Sequence, residues 1–140
     1  MFALGFIPGA KLGMKIVGRS TNAIFNSVGA LRKEGLKDAH HIIQDAAVKH
    51  LPGYKTNAAP GIQLSGPASK RTTPHYIATQ VQRQSGGGTY ASERRIGYKA
   101  MRRAGISKQN ARYGIEKADE YFESIGVTWN TITRRPGNRY

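Results

Sequence analysis

The sequence predicts a small α+β domain, and three observations carry that reading. Its 140 residues are 39% hydrophobic, enough for one modest core and, by the usual domain size, one folded unit. Gly61-Ile62-Gln63-Leu64-Ser65 alternates as a short strand should, and Gly66-Pro67 closes it. Apolar residues then recur at helical spacing through most of the second half of the chain.

Taken in order, residues 1–36 are rich in glycine and small residues. Leu4, Phe6, Ile7, Leu12, Ile16, Val17, Ile24 and Phe25 fall at loosely helical intervals there. This predicts a mostly helical leader or linker ahead of a functional domain over 37–140. Met1 to Ile7 is apolar but has no basic flank and meets Pro8-Gly9 early, unlike a signal peptide. After Asp38, Ile42, Ile43, Ala46, Ala47 and Leu51 mark one face of a short helix that Pro52-Gly53 ends. Pro74 suits the first turn of a helix over 74–84, and Gly86-Gly87-Gly88 ends it. No Lys-Ser or Lys-Thr follows that glycine run, so a hinge is preferred to a phosphate loop. A helix over 92–104 turns Ile96, Ala100, Met101 and Ala104 inward. Ser107 caps a last helix with the stripe Ala111, Ile115, Ala118, Phe122 and Ile125, and 127–133 reads as a strand carrying Trp129.

Charge narrows the function. With 22 Lys and Arg against 8 Asp and Glu the net charge is +14, which attracts a polyanion, nucleic acid first and an anionic membrane second. Between Lys49 and Arg112 lie twelve basic residues and one acid, Glu93. Arg95, Lys99 and Arg102 point the same way on their helix and repel one another unless an external phosphate backbone sits there. Together with Arg94 and Arg103 they form the expected nucleic-acid-binding set. An ordinary solvated face is the plainer alternative. Glu93 reads best as a charge stabilising its helix N-terminus. The chain has no cysteine, which excludes disulfides, Cys-ligated zinc and a thiol nucleophile. No stretch approaches the roughly 20 apolar residues that span a bilayer, so a soluble monomer without a stable membrane span is expected.

Four histidines remain, two of them adjacent in Asp38-Ala39-His40-His41-Ile42-Ile43. Neighbouring imidazoles leave a strand in different directions, so one can ligate a metal while the other takes a proton from water. His75, 34 residues after His41, can return another imidazole to the same ion from a helix start. His50 has no such partner and reads as structural.

Together with Ala59-Pro60-Gly61-Ile62-Gln63-Leu64 and Thr73-Pro74-His75-Tyr76, the His-His run resembles the AHH-type toxin nucleases of the HNH/endonuclease VII superfamily over about residues 37–103. Leu4-Gly5-Phe6-Ile7-Pro8-Gly9 resembles the stretch before C-terminal toxin domains of Rhs and contact-dependent inhibition polymorphic toxins. The resemblance implies a ββα-metal, HNH-like core around one divalent ion, with extra C-terminal helices. It makes His40 and His75 metal ligands, His41 the general base and Asn57 the residue orienting base or ion. Beside that set, Asp38 and, as the alternative to its helix-terminus role, Glu93 are candidate supporting carboxylates. Many relatives carry a second histidine three or four residues after the position of His75, where this chain has Ala78 and Thr79. Asp38, Gln80 or a phosphate oxygen would complete the shell, and an oxygen-rich set favours Mg²⁺ over Mn²⁺ or Zn²⁺. The implied activity is DNA cleavage in the cytoplasm of a target bacterium, after secretion or delivery as part of a larger toxin, with an acidic immunity protein as partner. An RNase, a basic nucleic-acid-binding module without chemistry, and membrane disruption by residues 1–36 are the competing readings.

Overall fold

The computed structural model describes residues 14–17, 22–36, 38–66, 68–83 and 87–134, with side chains from Ile24 onward. Its elements run β1 (Met14–Val17), β2 (Asn22–Ser27), α1 (Val28–Lys33), β3 (Ala39–His41), α2 (Asp45–Val48), β4 (Pro60–Gln63), α3 (Pro74–Gln82), α4 (Tyr90–Arg103) and α5 (Lys108–Ser124). The strands form one sheet in the order β1-β2-β4-β3, antiparallel throughout.

Directly opposed residues of antiparallel strands point to the same face. Phe25 and His40 both oppose Ile62 and therefore look into the main core. There Phe25, Ile42, Ile62, Met101 and Phe122 are buried together. On the other face His41 opposes Gly61, and α1 lies against the strand through Val28 and Leu31, which cluster with Ala39. Glycine is required at 61 because a Cβ there would meet Val28 and come within 3.0 Å of the His40 carbonyl oxygen.

The helices begin where their caps dictate. Thr73, Thr89 and Ser107 each accept a backbone N–H from the first turn of α3, α4 and α5, an interaction whose loss costs about 1 kcal/mol. Pro74 follows its cap in the first turn, as expected. On the outer edge of β3 the Gln82 amide donates to the carbonyls of His41 and Ile42 at 3.2 and 3.3 Å.

Two expectations are corrected. The mostly helical leader gives way, among the described residues, to the β1–β2 pair followed by the short α1. A segment with weak helical periodicity gains little from a costly helix nucleus, whereas β2 finds a ready partner in β4 and buries Phe25 edge-on to Tyr113. The strand expected over 127–133 is reduced to a single bridge between Thr89 and Ile132. Thr128 and Thr131 close a turn there, and the carbonyls of Trp129 and Thr131 instead accept the N–H groups of Ala91 and Tyr90, which a helix start leaves unpaired. Among the described residues no helix is long and apolar enough to cross a membrane.

Helix α4 passes directly over the exit of β3 at Gly97, where a Cβ would strike the Ile42 carbonyl oxygen. Replacing a helical glycine by alanine ordinarily gains up to about 1 kcal/mol. Here the overlap is with backbone, so Gly97→Ala should instead lose about 1–3 kcal/mol, read as a lowered urea midpoint.

Candidate active site

The pairing of β3 with β4 presents His40, 5% exposed, toward the start of α3. His75, the residue after Pro74, meets it with ring centroids 5.2 Å apart and planes at 89°. The turn after β4 fixes this second ring: the His75 backbone N–H donates to Ser65 and its Nδ1 to the Gly66 carbonyl at 3.2 Å. A carbonyl only accepts, so Nδ1 carries the proton and Nε2 keeps a lone pair. His40 Nε2 is buried with no hydrogen-bond partner. Burial, reinforced by the neighbouring imidazoles of His75 and His41, lowers the His40 pKa to about 3 and keeps it neutral. Asp38 Oδ1 lies 4.0 Å from His75 Nδ1, beside the protonated nitrogen. No group of three His, Cys, Asp or Glu side chains among the described residues is arranged to hold a metal ion. The nitrogen donors are thus two imidazoles, a set that would suit a divalent ion with the rest of its shell open.

His41 works on the opposite face of the strand. Its Nε2 donates to the Thr56 carbonyl at 2.9 Å, which leaves the lone pair on Nδ1. Burial lowers its pKa, opposed by the Thr56 carbonyl and Asp45 and assisted by the charge of Arg32. Asp45 Oδ1 is 4.0 Å from His41 Nε2 and accepts the hydroxyls of Tyr54 at 2.7 Å and Thr56 at 2.9 Å. Burial acts to raise the Asp45 pKa, but these hydroxyls, with His41 and Lys49, hold it below its ordinary value. The His41 ring is therefore steadied by a carbonyl and backed by a carboxylate.

The structure redistributes several expected roles. Asn57 does not touch His41: its Oδ1 accepts Arg32 Nη1 at 3.2 Å, and the orienting contact comes from the carbonyl of its neighbour Thr56. Arg94 is withdrawn from the basic face. It forms a forked bond to Asp119 at 3.0 and 2.6 Å and lies 4.5 Å from the Trp129 ring centroid, because its position on α4 turns it toward α5. Arg95, Lys99, Arg102 and Arg103 are exposed along that helix. Glu93 neither caps α4, where Thr89 does so, nor bonds a histidine. It is 1% exposed, with Oε1 accepting from Gln44 at 2.9 Å. A Cβ at Gly87 would strike its carboxylate, so Gly87 lies directly against a buried acid. His50 is exposed. Arg32, Asp45 and Thr56 escaped sequence reasoning. Asp45 stood four residues after His41, a readable spacing, but Thr56 acts through its backbone, about which residue type is silent.

A strand pair leading to a helix, with imidazoles from both brought together, defines an HNH-like α+β domain. The chain belongs to the Tox-SHH family, an HNH/Endo VII superfamily toxin with a SHH signature, whose model matches residues 34–123. Before its His-His pair this chain carries Ala39 in place of serine. No curated protein and no solved structure matches the chain. It is accordingly a toxin of a nuclease superfamily, with nucleic acid as the substrate class that membership implies.

Burial raises the Glu93 pKa above its ordinary 4.5, against the Gln44 amide and the Gly88 N–H. The folded state then holds this proton more tightly than the unfolded chain, so its contribution is present in acid and lost as pH rises through the raised value. Glu93→Gln stays neutral and keeps an oxygen for Gln44. Its urea midpoint should exceed that of the wild type at about pH 7 and converge with it at about pH 4.

Proposed function

We propose that this toxin is a metal-dependent endonuclease that hydrolyses the backbone phosphodiesters of DNA in a target bacterial cell. The observation that carries the proposal is the partnerless, buried Nε2 of His40, on a ring packed against His75 and one residue before a histidine whose free lone pair is on Nδ1. His40 and His75 would hold the ion through Nε2. A divalent cation there supplies polarisation of a phosphoryl oxygen and charge for the leaving oxygen. Mg²⁺ is the ion proposed, because two protein nitrogens leave most positions to water and phosphate oxygens.

The chain's own groups do the rest. His41 Nδ1 takes the proton of the attacking water, while Nε2–H on the Thr56 carbonyl keeps the ring aligned. Asp45 steadies the positive charge that the ring then gains. The Gly66 carbonyl holds the orientation of His75, with the Asp38 carboxylate 4.0 Å away adding its charge. Arg95, Lys99, Arg102 and Arg103 draw in the phosphate backbone without reading bases, so binding weakens steeply with salt. An acidic immunity protein complements the same basic face.

Chelation by EDTA should abolish plasmid nicking, and Mg²⁺ should restore it more fully than Mn²⁺ or Zn²⁺. His41→Ala should lower the cleavage rate by about 10²-fold or more with DNA affinity retained. Cutting that persists through both treatments overturns the mechanism, and total RNA degraded in preference to DNA reassigns the substrate. Binding without cutting under any ion would leave a nucleic-acid-binding module.

A further inference from the structure

We propose that Arg32, on α1, is the residue that seats the scissile phosphate beside His41. It lies upstream of the stretch the family model matches. The ligand class is a phosphodiester oxyanion of the nucleic-acid backbone, and the proposal rests on the hydrolytic reading above.

The sheet register brings α1 to the base. His41 opposes Gly61, and that residue's missing side chain is what lets Val28 and Leu31 lie against the strand. Leu31 is fully buried, and Arg32 follows it, exposed. Two backbone bonds fasten this helix to the loop that holds His41: Val28 N–H to Ala59 at 2.9 Å and Gly29 N–H to Asn57 at 2.8 Å. A third bond joins the Arg32 guanidinium to Asn57 Oδ1 at 3.2 Å. The residue before Asn57 is Thr56, whose carbonyl receives His41 Nε2. The cation and the base are thus anchored on adjacent residues of one loop.

The anchoring leaves the charge unspent. An asparagine oxygen orients a guanidinium without neutralising it, and no ion pair joins Arg32 to a carboxylate among the described residues. The nearby carboxylate Asp45 is engaged by Tyr54, Thr56 and His41. Arg32 has four further N–H donors in a planar fork, the geometry that matches two phosphate oxygens at once. A competing, purely structural role is that of a last-turn cation on the carbonyl end of α1; Lys33 occupies the same turn.

Single-turnover cleavage of plasmid DNA by Arg32→Ala, Arg32→Gln and Arg32→Lys separates these roles. Arg32→Ala and Arg32→Gln should lose about 10²-fold in rate, with unchanged melting midpoint and affinity for a short duplex altered by less than about tenfold. Arg32→Lys should recover only part of the loss, since a point charge lacks the fork. Rates within about threefold of wild type in the Ala and Gln variants overturn the proposal, as does a loss that tracks melting and is fully restored by lysine. A second measurement does not depend on cutting. In protein labelled with ¹⁵N-arginine, inorganic phosphate should shift the Arg32 Nε–H resonance saturably, and the absence of a shift overturns the seat whether or not DNA is cut. A saturable shift in a protein that cuts no nucleic acid keeps the seat and removes the hydrolytic reading alone.

Discussion

The register of β3 against β4 is the constraint on which the rest depends. Because strand side chains alternate, a slip of one residue would send His41 into the core and His40 to the α1 face. Two features hold the register. Ile62 is fully buried and needs the main-core face, and Gly61 alone permits α1 to approach the other. The strand of three residues that carries both imidazoles is therefore positioned less by its own sequence than by the strand it pairs with.

That alternation divides labour between the two faces. Toward the core, His40 is dry and neutral beside an imidazole whose tautomer is set by a turn carbonyl. Toward α1, His41 meets a carbonyl, a carboxylate and an arginine, each acting on its proton in a known direction. Adjacent residues of the same type thus receive different chemistry from their surroundings, with no difference in the side chain itself.

Local signals were the legible ones. The cap at Ser107, the proline in the first turn of α3, the apolar stripes of α4 and α5 and the alternation at Gly61-Ile62 all act within a few residues, and each could be read from the chain. The proximity of His40 and His75 was anticipated through family resemblance, which carries long-range information that periodicity lacks. What could not be read was set at a distance. Phe25 is a strand residue because β4 accepts it, and 127–134 stays irregular because the first turn of α4 claims its carbonyls. Arg94 and Arg95 are adjacent and identical in type, yet one is spent on Asp119 and the other faces solvent. Their difference lies in which side of α4 meets α5, which no composition reveals.

The Gln82 amide on the outer carbonyls of β3 has a consequence for the molecule in company. β3 closes one side of the sheet, and an exposed border of unpaired carbonyls is a template on which another chain can polymerise. A side-chain amide from α3 occupies that border without extending it. The strand bearing the imidazoles can therefore close the sheet without offering that border to a second chain.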